Sequence, residues 1–250
     1  LFSRNLGKPA RGLSMQLAFK KLKRFVAARL APGEALGLHL TVGLALLFSA
    51  TYIFHEVVEA MRRDAGIAAL DLQLAQWLHQ HAFEPLTSFM RAITQLHSVA
   101  GIAALSLLLA WHLWRRKERY WLLTLIVAVP PGMLLNVALK HSYQRPRPWF
   151  DEPLLTLATY SFPSGHTVAA TLFHGLLACY LASCVVRGSW RAAVFGGAAC
   201  MVVLVACSRM YLGVHYLSDV VAAMAEGVAW LAICITGVST WRRRREGRQP

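Results

Sequence analysis

The sequence predicts an all-α, polytopic membrane protein: a bundle of six transmembrane helices with short helices on the outer face and both termini cytoplasmic. Three observations carry this prediction. Hydrophobic residues make up 56% of the 250, mean hydropathy is +0.45, and charged residues make up only 15%, against about 25% in soluble domains. Six stretches are each long and apolar enough to cross a bilayer, which takes about 20 residues. The charged residues that remain are unevenly divided between the segments joining those stretches.

Taken in order, residues 1–34 form a basic N-terminal segment. The first strongly apolar run starts too late for a secretory signal peptide and lacks a small-residue cleavage pattern. Within this segment Leu17–Leu30 mixes Lys/Arg with Leu, Phe, Val and Ala. Two readings stand: an amphipathic helix lying on an anionic membrane surface, or an ordinary basic flank that only sets topology. Pro32 and Gly33 separate it from the first span, Ala35–Phe54. His55–Arg91 follows, half-apolar in places. Asp64, Asp71 and Glu84 argue against its insertion, so it reads as short helices packed on the outer face. The second span is Ala92–Trp114. The third, Tyr120–Leu139, contains Pro130 and Pro131, which should kink or interrupt it unless neighbours satisfy the freed backbone groups. Spans four to six are His166–Val186, Ala192–Ser208 and Val220–Trp241. Residues 35–241 thus form one transmembrane domain, and 242–250 a basic cytoplasmic tail.

The basic residues orient the bundle. With the N-terminus cytoplasmic, nineteen of the 26 Lys and Arg lie on the inner side, including Arg242–Arg245, and seven lie outside. This is the positive-inside pattern. It also accounts for the formal charge of +14 without nucleic acid as a partner. The five cysteines, Cys179, Cys184, Cys200, Cys207 and Cys234, fall in apolar spans and read as small buried hydrophobes. Trp114, Tyr120, Trp121, Trp190 and Trp241 sit where interface anchors belong.

The outer basic residues gather at adjacent helix ends. Lys140, Arg145 and Arg147 follow span three, Ser164, Gly165 and His166 open span four, Arg209 ends span five, and His215 and Asp219 lead into span six. Their chemistry suits a phosphoryl group. Arg147 and Arg209 offer planar bidentate forks and Lys140 a point charge. Gly165 permits close backbone approach at a helix N-terminus, which favours an anion, and Ser164 adds a hydroxyl. His215 and Asp219, four apart, share a helix face. Asp219 can hold one imidazole nitrogen and leave the other free to attack, while His166 can move the leaving-group proton. Spacing alone leaves open which histidine attacks.

These residues spell three signatures: KHSYQRPRP with Lys140, Arg147 and Pro148; Pro163, Ser164, Gly165 and His166; and SRMYLGVHYLSD with Ser208, Arg209, His215 and Asp219. All three are complete and in order, and together they resemble the type-2 phosphatidic-acid phosphatase superfamily of integral membrane lipid phosphatases. The resemblance implies His215 as nucleophile forming a phosphohistidine, Asp219 as its support, His166 as general acid, and Lys140, Arg147, Ser164, Gly165 and Arg209 as the phosphate cradle. It implies no metal and no cofactor. It also implies a bacterial inner-membrane protein whose site faces the periplasm. The expected substrate is a membrane lipid phosphate or diphosphate, foremost undecaprenyl diphosphate, with phosphatidylglycerol phosphate and phosphatidate beside it. A lipid A phosphatase, a phosphotransferase, a haloperoxidase and a non-catalytic transporter or scaffold are the rival readings. Oligomeric state is not legible.

Some polar residues fall outside the signatures. Arg145 has two readings, contact with a second phosphate or with lipid headgroups. Glu226, inside span six, is costly in lipid and needs a partner such as an indole, a hydroxyl or Asn136; it is structural or tunes the site. His39, His112 and His174 read as packing or helix–helix hydrogen bonds. His79 and His81 read as loop residues or substrate contacts.

Overall fold

The computed structural model describes Lys20, Lys21, Lys23, residues 37–63 and residues 65–247, so most of Leu17–Leu30 lies outside the described residues. Eight helices follow residue 37: α1 (Leu38–Arg63), α2 (Ala65–Gln80), α3 (Leu86–Leu96), α4 (Val99–Arg115), α5 (Arg119–Tyr143), α6 (Gly165–Cys184), α7 (Gly188–Tyr211) and α8 (Leu217–Glu246). Among the described residues there is no strand. Helices α1, α5, α6, α7 and α8 are each long and apolar enough to cross a membrane.

The expected second span, Ala92–Trp114, departs from the expectation. In place of one helix over Ala92–Trp114, the chain forms α3 and α4, bent by 54° at His97–Ser98. The cause is local. Ser98 caps α4 by accepting the Gly101 N–H. A Cβ on Gly101 would lie 2.1 Å from the Leu96 carbonyl oxygen, so only glycine allows the two helices to meet this closely. The bend is clasped to α6 by a His97–His174 hydrogen bond of 2.9 Å.

The opposite outcome holds at Pro130–Pro131, where α5 runs on without a break. The ring at Pro131 cannot bond the Val127 carbonyl. The Cys234 thiol of α8 reaches that oxygen at 3.5 Å, and the Trp230 indole donates to Ala128 at 3.0 Å. The neighbouring helix thus serves the carbonyl that Pro131 leaves over, and its indole adds a second tie to α5.

Helix α6 is the centre of the bundle. It packs on α4, α5, α7 and α8, and Val168, Leu172 and Leu176 are wholly buried. Helix α1 lies outside, along α8, where Gly43 lets Thr236 approach closely. The three non-signature histidines read as helix–helix contacts all join helices: His39 bonds Thr240, His112 bonds Tyr180, and His174 bonds His97. His79 stacks on Phe150 and His81 on Trp77.

The two ends of the bundle differ. At one end, Tyr120 meets Trp241 edge-on and Arg242 lies over Tyr120, so the Arg115–Arg119 turn and the Arg242–Arg245 run share a face. At the other, α2, the start of α3 and the 144–164 segment close over the ends of α5 to α8. Leu78, Ala82, Leu86, Met90, Leu154 and Leu155 pack there on Tyr211, Leu212 and Val214. That end holds most of the buried polar groups.

Candidate active site

Two backbone hydrogen bonds bring the signatures together. The Ser161 N–H donates to the Arg145 carbonyl at 2.9 Å, and the Ser164 N–H to the Asp219 carbonyl at 3.2 Å. The loop before α6 is thereby bound to the first signature on one side and to α8 on the other. Gly213, with φ +71°, turns the chain between α7 and α8 and sets His215 beside Arg209.

His215 is almost fully buried. Its Nδ1 lies 3.3 Å from Asp219 Oδ2 and 3.4 Å from Ser161 Oγ. Asp219, the third residue of α8, also accepts the Tyr216 N–H at 2.9 Å, the Ser161 hydroxyl, and Arg145 Nη1 at 2.6 Å. A carboxylate this well supplied with donors stays ionised and favours a proton on Nδ1, so the His215 Nε2 lone pair faces Arg147 Nη1 at 3.2 Å. Burial pushes the His215 imidazole well below its usual range, to about 3, against the upward pull of the Asp219 hydrogen bond and charge. The free imidazole is the form that can attack.

The expected cations gather at the same end, Arg147 against Nε2 itself and Arg209 within electrostatic reach of the ring. Arg147 is held by Thr159 O, Thr159 Oγ1, Tyr160 O and Val214 O at 2.6–3.0 Å. Lys140 Nζ donates to Tyr160 O at 2.8 Å and Ser161 O at 3.3 Å. Arg209 is 0% exposed. Its Nη1 donates to Thr94 Oγ1 at 3.0 Å, while Nε and Nη2 have no protein partner among the described residues. Those two atoms form the side-on edge of the guanidinium, the fork that grips two oxygens of an oxyanion. None of these three cations meets a carboxylate within ion-pair distance among the described residues. Ser164 precedes α6 and accepts the Thr167 hydroxyl at 3.0 Å. A Cβ on Gly165 would lie 3.2 Å from Asn136 Oδ1 and 3.8 Å from Lys140 Cε, so glycine keeps this helix start open beside the lysine. His166, the second residue of α6, is half-buried and within electrostatic reach of Arg209, His215 and Arg147.

Arg145, read from the sequence as a contact for a second phosphate or for headgroups, is paired within the protein. Its Nη2 donates to Asp71 Oδ2 at 2.8 Å and its Nη1 to Asp219 Oδ1 at 2.6 Å, with the Tyr216 ring 4.3 Å from the guanidinium carbon. Two carboxylates hold its charge and raise its pKa against the cost of burial. Glu226 does meet Asn136, which donates to Oε2 at 3.0 Å. Sequence reasoning missed Ser161 and Thr94, both outside the signatures, and read Asp71 only as a bar to membrane insertion.

The chain is similar to known proteins. Residues 119–243 match the PAP2 superfamily. Phosphatidylglycerophosphatase B of Bacillus subtilis (strain 168) is 29% identical over 144 residues, covering 57% of this chain and 70% of that protein. Lipid phosphate phosphatase delta of Arabidopsis thaliana is 30% identical over 162 residues, 60% of this chain and 38% of that protein. The crystal structure of a transmembrane PAP2 type phosphatidylglycerolphosphate phosphatase from Bacillus subtilis superposes with TM-score 0.69 and 27% identity, covering 76% of this chain and 94% of that one. Aquifex aeolicus LpxE gives TM-score 0.53 at 24% identity, covering 66% and 94%, a likeness of fold. The family match runs from α5 into α8 and contains all three signatures, so the chain belongs to the PAP2 superfamily, as a multi-pass membrane member of it.

Proposed function

We propose that this chain hydrolyses a lipid phosphate at the periplasmic membrane face through a phosphohistidine, without a metal. The chain is a membrane lipid phosphatase, and the relatives named above support that reading. The observation that carries the mechanism is a buried, carboxylate-held imidazole set among three cations that no carboxylate neutralises.

In this reading His215 Nε2 attacks phosphorus and the bond to the lipid oxygen breaks. His166 protonates the departing alcohol. Lys140, Arg147 and Arg209 take the charge that builds on the equatorial oxygens, with Ser164 and the N-terminus of α6. Water, deprotonated by His166, then attacks the phosphohistidine and releases phosphate and His215. Asp219 stabilises the imidazolium character of the bonded ring throughout. The site lies at the end of the bundle opposite the Arg115–Arg119 and Arg242–Arg245 clusters, and the positive-inside rule puts that end in the periplasm of a bacterial inner membrane.

For the substrate, the charge balance favours a single phosphate. Arg145, the cation available for a second one, is committed to Asp71 and Asp219. Phosphatidylglycerol phosphate and phosphatidate therefore come before undecaprenyl diphosphate. Phosphate release from detergent-solubilised lipids of each kind, lipid A included, tests this, with labelled acceptor lipid added to detect transfer. Activity confined to the diphosphate or to lipid A overturns the preference, and turnover by His215→Ala overturns the mechanism.

A further inference from the structure

Helix α2 lies on the outer face and carries none of the signature residues, yet its Asp71 is only 2% exposed. Its partners explain the burial. Asp71 Oδ1 accepts the Ser218 N–H at 3.0 Å, Oδ2 accepts the Ser218 hydroxyl, and Oδ2 also accepts Arg145 Nη2 at 2.8 Å. Ser218 is the second residue of α8, and the residue before that helix is Tyr216. The first N–H groups of a helix have no partner inside it, and a short side-chain oxygen at the cap position normally takes one. Asp71 supplies that oxygen here from a helix 147 residues away in sequence.

Arg145 then joins Asp71 to Asp219. Its two terminal nitrogens each hold one carboxylate, Nη1 also meets Ser218 Oγ at 2.7 Å, and its face rests on Tyr216. A chain of contacts thus runs from α2 through Arg145 and Asp219 to His215 Nδ1. Two carboxylates at one helix N-terminus repel each other unless a cation lies between them, and Arg145 is that cation. Without Asp71, one end of the guanidinium is released, and the hold on Asp219 Oδ1 loses its fixed direction. The orientation of His215 depends on Asp219, and a small misplacement of a reacting group costs about 100-fold in rate.

We propose that Asp71 is a positioning residue for the reaction: from the outer helix it caps α8 and clamps Arg145, and so holds the Asp219–His215 pair in the attacking geometry. The proposal rests on the phosphohistidine reading above. It makes α2 part of the working site, though α2 touches no reacting atom.

Steady-state kinetics on the full-length protein in detergent, with phosphatidylglycerol phosphate as substrate, test it. Asp71→Asn removes the charge and keeps an amide oxygen for the Ser218 N–H. Its kcat should fall 10- to 100-fold, by the orientation argument above, while KM stays within about threefold. Arg145→Ala should show a similar loss, and the double variant no more than the larger single loss, because the two act through one contact. Rescue of kcat by Asp71→Glu would add support. A kcat within threefold of wild type in Asp71→Asn overturns the proposal. So do losses that multiply in the double variant, and so does a rise in KM at unchanged kcat. Should Asp71→Asn fail to fold, Ser218→Ala takes its place: it deletes the hydroxyl between Asp71 and Arg145 and leaves both charges, and the same split between kcat and KM decides. His215→Ala is the control. Turnover without His215 sinks the mechanism itself, whereas a dead His215→Ala beside a fully active Asp71→Asn sinks only the clamp.

Discussion

Arg209 offers the sharpest test of the proposed phosphate cradle, because its burial and its proposed role pull in opposite directions. The side chain is 0% exposed, one nitrogen bonds Thr94, and the side-on edge, Nε and Nη2, meets no protein acceptor. Arg209→Lys keeps the charge and loses the fork. A phosphate would then receive one charged hydrogen bond there in place of two, a loss of about 1.5–3 kcal/mol. At 1.36 kcal/mol per factor of ten, kcat/KM should fall about 10- to 150-fold. Phosphate release from a lipid monophosphate in micelles measures it. Stability should move the other way. A buried cation without an anionic partner costs several kcal/mol, so Arg209→Met should melt at or above the wild-type temperature in phosphate-free buffer. Added phosphate or vanadate should raise the melting temperature of the wild type and leave that of Arg209→Met unchanged. Arg209→Lys with wild-type kcat/KM, or a destabilised Arg209→Met, would refute the reasoning and make Arg209 a structural residue.

Three further outcomes follow from the same geometry. Burial holds the His215 imidazole at about 3, below the unfolded value of about 6.5. Between those values the unfolded chain binds more protons, so this contribution to stability is complete above about pH 6.5 and is lost as pH falls toward 3. Melting temperatures from pH 7 to 4 should fall less steeply in His215→Gln than in wild type. Gly213→Ala places a Cβ 2.9 Å from Phe150 Cε2 at φ +71°, so it should lose at least the 1–2 kcal/mol or so of left-handed strain in a thermal melt. Glu226→Gln keeps an acceptor for Asn136 and should retain stability and turnover within threefold. Glu226→Leu removes the shorter of the two acceptors of the Asn136 amide, leaving the Pro163 carbonyl at 3.5 Å, and should cost about 1–3 kcal/mol by the same measurement.

The spans and the three signatures are legible in the chain because each depends on neighbours in sequence. Hydropathy marks α1 and α5 to α8, and the signature residues stand at the ends of those helices on one side. The break between α3 and α4 is hidden by a hydropathy profile that stays apolar across it. Its local sign is Ser98 three residues before Gly101, a helix-start pattern inside an apolar run. The prolines of α5 mislead in the other direction, since only the packed structure shows Cys234 of α8 serving the carbonyl that Pro131 frees. Arg145 and Arg147 are the same residue type two positions apart; the signature spacing singles out Arg147, but nothing local shows that Arg145 is held by two carboxylates.

The sequence by itself determined the apolar spans, the family, and the shared helix ends at which the signature residues gather, because hydropathy and short motifs act over one helix or one turn. The tertiary structure alone decided which cations are neutralised. Asp71 lies 74 residues from Arg145 and 147 from Ser218, and Thr94 lies 115 from Arg209. Electrostatic pairing falls off over a few ångströms of space whatever the separation along the chain, so the difference between an arginine held by carboxylates and one left without them exists only once the helices have packed.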